Sequence, residues 1–283
     1  MKEEKRVYGT SEAMSPLETA IRNRRSVRTF DGNTLRKADQ EKIEQFIADM
    51  DDPFGKQIEY RFLPSKEYGL TSPVLAGEDI YLAGKVKKGK FSDVAFGYSL
   101  EQIVLFAEQD RIGTVWLAGT MNRDAFEKAM DLQDDEVMPA VTPLGYTAAK
   151  KSLKETMMRK GVKADIRYAF SELFFQNDFD TPLADDGGAI CKALEMVRLA
   201  PSAVNKQPWR AVVCGNTVHF YEHKDKGYDQ GDKGDLQKVD VGIGLAHFVL
   251  MAKEEGLNGT IKEADPGIAL PADTEYVISW VME

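Results

Sequence analysis

Apolar residues recur at three- and four-residue intervals in several stretches of the chain. Between Lys37 and Met50 they are Ile43, Phe46, Ile47 and Met50, and between Phe91 and Asp110 they are Leu100, Ile103, Val104 and Ala107. That spacing puts each set on one face of a helix. The same pattern predicts helices over Ala189–Leu199 and Val239–Glu255. Shorter apolar runs bounded by Gly, Pro or polar residues predict strands at about Ile58–Leu63, Asp79–Val86, Gly113–Gly119, Val137–Tyr146, near Ala211 and Val218, and at Glu275–Met282. Pro16 opens a short helix to about Arg24, Asn122 caps one to Met130, and Lys150–Lys160 reads as a basic helix. The region Tyr68–Gly77 and the polar loop Glu222–Lys238 are lid candidates, and residues Met1–Ser15 read as a mobile tail.

The pattern repeats. Gly97, Leu100, Val104, Leu105 and Ala107 match Gly242, Leu245, Val249, Leu250 and Ala252, each 145 residues later. Lys56-Gln57 matches Lys206-Gln207, and Ile43, Phe46 and Ile47 fall opposite Ala193, Met196 and Val197, at 150. Helix, loop, strand and periodic helix therefore occur twice. The division this suggests is a first half over 16–176, an acidic joint over 177–188 ending in two glycines, and a second half over 189–283.

Composition narrows the class. With 43% hydrophobic residues in 283 the chain can bury a sizeable core, and a net charge of −9 argues against general binding to nucleic acid or anionic membranes. Two cysteines make no disulfide framework, and His219, His223 and His247 show no metal-ligand spacing with them. No run reaches the length of a membrane span and the N-terminus lacks a signal pattern, so the expectation is a cytoplasmic protein. Gly242-x-Gly244-x-x-His247 imitates a dinucleotide fingerprint but lacks its third glycine.

The chemistry gathers in two stretches. One is Pro201-Ser202-Ala203-Val204-Asn205-Lys206-Gln207-Pro208-Trp209, between a helix that Pro201 must end and a strand that Trp209 should anchor by burial. The other is Arg24-Arg25-Ser26-Val27-Arg28, where three arginines and a serine can surround a phosphate. Read alone, the first is a helix–turn–strand junction and the second a solvated basic helix end. Together, P-S-x-x-N-x-Q-P-W and R-x-S-x-R resemble the cofactor-binding stretches of the FMN-dependent nitroreductase family.

The resemblance covers nearly the whole chain after residue 15 and looks closest to the single-chain, two-halved branch of that family. It implies an α+β fold, with antiparallel-rich sheets flanked by helices and two pseudo-symmetric halves mimicking the family's homodimer. It also implies an oxidoreductase that passes hydride from NADH or NADPH through flavin N5 to a nitroaromatic, quinone or similar small acceptor. A flavin-binding protein without turnover, or a member with different flavin chemistry, stays open. By resemblance, Arg24 and Ser26 match phosphate contacts, Arg28 the basic residue beside flavin N1 and the C2 carbonyl, and Gly119 the N–H facing N5. Ala118 stands where some relatives have Glu. Arg167 matches a further phosphate arginine, with Arg159 and Lys160 as alternatives. Pro201, Ser202, Ala203 and Asn205 match residues along the ring and ribityl chain. The first half has Asp51-Asp52-Pro53-Phe54-Gly55 where the second has its loop, and the second has Phe174-Phe175-Gln176-Asn177-Asp178 where the first has its arginines. One FMN per monomeric chain is the expectation.

Overall fold

Two long helices cross at the centre of the molecule, α4 (Ser92–Gln109) and α9 (Leu236–Glu254). A side-chain carbon on Gly97 would collide with the Val239 carbonyl oxygen, and one on Gly242 with that of Val94. Val94 and Gly97 precede Val239 and Gly242 by the same 145 residues, so the contact is reciprocal: each helix offers the other the same patch. Glycine is required at both because the backbones touch. The face predicted from Leu100, Ile103, Val104 and Ala107 is only part of what α4 buries. Val94, Ala95, Phe96, Tyr98 and Leu105 are also inside, because sheet and helices enclose α4 on most sides.

This computed structural model describes residues 14–150 and 152–283, so most of the expected tail lies outside the described residues. One sheet contains β1 (Ile58–Pro64), β2 (Ile80–Lys87), β3 (Ile112–Gly113) and β5 (Val141–Tyr146) in the order β1-β2-β5-β3, with β4 (Glu136–Val137) beside β2. The other contains β6 (Phe174–Gln176), β7 (Trp209–Cys214), β8 (Thr217–His223), β9 (Gly259–Lys262) and β10 (Thr274–Met282) in the order β6-β7-β8-β10-β9. From β7 onward this order repeats that of the first sheet. All pairs are antiparallel except β6 with β7. The fold is α+β, as expected.

Around the sheets lie α1 (Pro16–Asn23), α2 (Lys37–Asp49), α3 (Ser65–Tyr68), α5 (Arg123–Ala129), α6 (Leu153–Gly161), α7 (Phe170–Leu173) and α8 (Ala189–Leu199). Ser15 caps α1, accepting from the Glu18 N–H at 3.0 Å, and Pro16 follows at the first helical position. Trp209 is fully buried, as its place at the start of β7 predicted.

Four local readings change. The run Gly113–Gly119 is not one strand: only β3 and bridges at Thr114 and Leu117 remain, because Trp116–Thr120 turns away to line a cavity. Val137–Tyr146 splits into β4 and β5 around Met138-Pro139-Ala140. Asn122 precedes α5 but its side chain makes no capping bond. Its oxygen accepts from the Thr71 N–H and its nitrogen donates to the Gly69 carbonyl, tying down the neighbouring loop. Finally, Phe174–Gln176 does not correspond to the arginine stretch. It is β6, which crosses over and extends the second sheet.

Candidate functional site

The arginine stretch is extended chain. Val27 N–H donates to the Thr114 carbonyl at 2.9 Å, Ser26 bridges Thr114 in parallel, and Ala76 N–H donates to the Arg28 carbonyl at 3.0 Å. Alternate residues of such a segment share a face. Val27 therefore packs inward against Gly113, while Arg24, Ser26 and Arg28 all line one cavity. From α6, Glu155 reaches under this stretch, accepting from the Arg28 N–H and the Thr29 hydroxyl.

Glu101, fully buried on α4, organises the cavity wall from below. It accepts from Trp116 Nε1 at 2.8 Å, faces His247 Nε2 at 2.9 Å and stands 3.9 Å from Arg24 Nε. The other ring nitrogen of His247 faces the Met196 carbonyl at 3.0 Å. Both nitrogens meet acceptors, so one proton joins this carboxyl and ring, which lie on opposite central helices. His247, the last residue of the false dinucleotide fingerprint, is thus a core residue.

Past Trp116 the chain turns through Ala118 and Gly119. Arg123, at the start of α5, donates to the carbonyls of Met138 at 2.8 Å, Ala118 at 3.3 Å and Pro139 at 3.3 Å. In a trans peptide the C=O and the following N–H point in opposite directions. With the Ala118 carbonyl turned to Arg123, the Gly119 N–H is turned to the cavity. A side-chain carbon on Gly119 would meet nothing within 4 Å, so this face is open. Sequence reading passed over Arg123, whose cue was a lone arginine directly after the Asn expected to cap α5.

The loop after α8 is strained. Val204, Asn205 and Gln207 all have left-handed backbones, with φ of 50°, 58° and 52°. Such residues cost roughly 1–3 kcal/mol each and persist only where their surroundings over-determine them. Here the surroundings do. Gln207 N–H donates to Ser202 Oγ, Asn205 Nδ2 donates to the carbonyls of Lys163 and Ile166, and Arg167 donates to Asn205 Oδ1 and to the carbonyls of Ala164, Ile166 and Leu199. Ala203 N–H meets both oxygens of Asp240 at 3.0 Å. Asn205 and Arg167 thus spend much of their hydrogen bonding on joining the loop to the 163–167 segment.

These pieces enclose a cavity of about 570 Å³, within the range of small-molecule sites. Arg24, Ser26, Arg28, Ala118, Gly119 and Arg167 line it, and so do Pro201, Ser202, Ala203 and Asn205. All ten sequence-derived candidates meet there. Arg22 and Arg25 join them, giving five arginines against two acids, Asp165 and Asp240. Val74 and Tyr228, from the two lid candidates, complete the wall. The second of these loops is tethered, by Lys206 to Asp225 at 3.0 Å and by Gln237 to Asp225. Lys160 is exposed and does not line the cavity, and the Arg159 side chain lies outside the described residues.

A family model described as "Putative TM nitroreductase" matches residues 17–252. The chain belongs to this nitroreductase family. It is similar to a "putative nitroreductase" of Thermotoga maritima, with 23% identity, 99% of each chain covered and a TM-score of 0.61. At that identity the likeness is one of fold. Two further solved structures match about half of this chain: a nitroreductase family protein of Clostridium novyi (18% identity, 49% of this chain and 90% of that one, TM-score 0.40) and an FMN-dependent nitroreductase of Clostridium difficile (13%, 47% and 88%, 0.40). No curated protein matches the chain.

Positions related by the repeat to part of the cavity lining carry packed rings. Val204, Leu236 and Ile243 line the cavity. The residues 150, 145 and 145 positions earlier are Phe54, Phe91 and Tyr98. Their rings pack together, Phe54 lying 5.7 Å from Tyr98 edge-to-face and 6.1 Å from Phe91. Among the described residues no helix is long and apolar enough to cross a membrane, and no cluster of His, Cys, Asp or Glu could hold a metal ion.

Proposed function

We propose that this chain is an FMN-dependent oxidoreductase with one flavin per chain, using NADH or NADPH to reduce a nitroaromatic, quinone or similar small acceptor. The reading rests on one observation: ten residues chosen for flavin chemistry, scattered from position 24 to position 205, line a single cavity. The donor set fits the group. A row of Arg24, Ser26 and Arg28 on one face suits a phosphate and an electron-rich ring edge, and the open face at Gly119 leaves room for a flat ring against backbone.

When bound, FMN supplies the hydride-carrying ring between nicotinamide and acceptor. Arg24 and Ser26 would hold the phosphate. Arg28 would stand at the N1 and C2-carbonyl edge, where a fixed positive charge favours the reduced, anionic ring and raises its potential. Gly119 N–H would donate toward N5. Pro201, Ser202 and Ala203 would flank ring and ribityl chain, while Asn205 and Arg167 brace the loop that carries them. The five arginines together favour an anionic cofactor.

The two halves in one chain are read as counterparts of the two subunits of the family's dimer. The reciprocal glycines and the repeated strand order support this, and the packed rings at Phe54, Phe91 and Tyr98 support a single working site. Absorbance of the purified or FMN-reconstituted protein tests the ratio. One flavin per chain is expected, and a ratio near two, or none, would remove the reading. Anaerobic mixing with NADH or NADPH should bleach the flavin band, and steady NAD(P)H consumption with menadione separates turnover from flavin binding alone.

A further inference from the structure

Asp240 is one of the two acids of the cavity, and the flavin reading does not use it. It sits on the second turn of α9, is 3% exposed and lines the cavity. Its hydrogen-bond partner among the described residues is the Ala203 N–H, 3.0 Å from each of its oxygens. No cation of the described residues lies within ion-pair distance of it. The two oxygens share that single N–H, which leaves the carboxyl with further hydrogen-bonding capacity at the cavity wall. The residue 145 positions earlier is Ala95.

We propose that Asp240 is a ligand-binding residue of this cavity, one oxygen holding the Ala203 N–H and the other donating its O–H to an acceptor atom, a carbonyl oxygen or ring nitrogen, of the bound flavin. The proposal rests on the functional reading above and assigns the cavity a donor that the arginine and loop stretches do not provide. Burial pushes the Asp240 carboxyl well above its ordinary range, and nearby Asp235, Glu222 and Glu101 push the same way against the Ala203 hydrogen bond. An acid kept neutral in this way is a donor as well as an acceptor. A buried acid without a cation is also a poor choice for folding, which is why a ligand accounts for it better than packing does.

The test uses the full-length protein and FMN as the probe, with D240N and D240L. Asparagine keeps a donor and an acceptor; leucine keeps the approximate volume and neither. The apoprotein should show an infrared carbonyl band of protonated carboxylic acid that is present in E222Q and lost from the E222Q/D240N double variant, and FMN should shift that band in E222Q. D240N should melt no lower than the wild-type apoprotein and bind FMN within ~3-fold of it, while D240L should bind FMN at least ~10-fold more weakly, the size of one buried hydrogen bond. A role confined to the Ala203 N–H would leave the band unmoved by FMN and would overturn the proposal, as would a D240L affinity equal to wild type or a band absent from E222Q. Failure of the wild type to take up FMN at all would overturn the functional reading beneath it. Wild-type uptake with an unmoved band in E222Q overturns the role of Asp240 alone.

Discussion

The cavity and the packed ring cluster at its repeat-related position are built from the same parts. Around the cavity stand Val204, Leu236, Ile243 and Asp240; around the cluster stand Phe54, Phe91, Tyr98 and Ala95. The loops differ in the same sense. Asn205 holds a left-handed backbone at φ 58°, and 150 residues earlier the left-handed residue is Gly55 at φ 61°, which adopts it without a steric penalty. One region carries strain, a cavity and an acid with no cation within ion-pair distance among the described residues; the other carries ring contacts. The same frame is packed with rings at one position and lines a cavity at the other, which fits the division of labour proposed above.

The comparison breaks first at the arginines. R24A combined with R28A should weaken FMN binding by about 10²–10⁴-fold, since each charge-assisted contact contributes about 1.5–3 kcal/mol, measured by fluorescence titration. R24A also removes the cation beside the buried Glu101, so the apoprotein unfolding midpoint should fall for R24A. The frame itself is tested by G97A and G242A. Each methyl group meets a carbonyl of the facing helix, so both variants should lose about 2–3 kcal/mol in denaturant unfolding, by similar amounts because the contact is reciprocal. A large loss in one and none in the other would deny the reciprocity.

Exchanging residues between the two regions is the sharper probe. I243Y brings a phenol ring to the cavity side and should weaken FMN binding at least ~10-fold. Y98I removes a ring from the cluster and should cost about 1–2 kcal/mol while leaving FMN affinity alone.

The smallest effect concerns buried acids. In the first sheet Lys85 pairs with Glu136 at 2.8 Å, whereas on β8 Glu222 is 1% exposed and desolvation raises its pKa from an ordinary 4.5 to about 8. Between these values the folded protein holds a proton that the unfolded chain has released, so stability falls as pH rises from about 4.5 to about 8. Asp93, raised to about 6, adds to the slope over its lower part. E222Q should flatten the decline, gaining roughly 1–2 kcal/mol over wild type at pH 8, read from thermal unfolding at several pH values.

The long helices were legible in the chain because burial imposes a period, and Ala189–Leu199 is found within the same bounds. The cavity was legible because most of its candidates sit in two short stretches whose residue types suit a phosphate and a flat ring, and the family resemblance supplied Ala118, Gly119 and Arg167. Other features were hidden for identifiable reasons. Gly259–Lys262 forms β9 in a four-residue run, Gly-Thr-Ile-Lys, too short and polar to register. Residues 113–119 are apolar enough for a strand, but Arg123 captures the Ala118 carbonyl from outside the run. Asp240 and Glu101 look like solvent-facing positions of amphipathic helices, and only the crossing of α4 and α9 puts them inside. Phe174–Gln176 fell opposite the arginine stretch at the repeat offset, yet its pairing with β7 is a long-range choice that the repeat does not encode.

The crossing at Gly97 and Gly242 joins segments of one polypeptide, so the matching patches are encoded separately. In an assembly of identical copies every substitution occurs twice, and a ring that closed one pocket would close its twin. Here a codon change at position 54 leaves position 204 as it was. Specialisation of one side for work and the other for cohesion becomes available to ordinary point mutation.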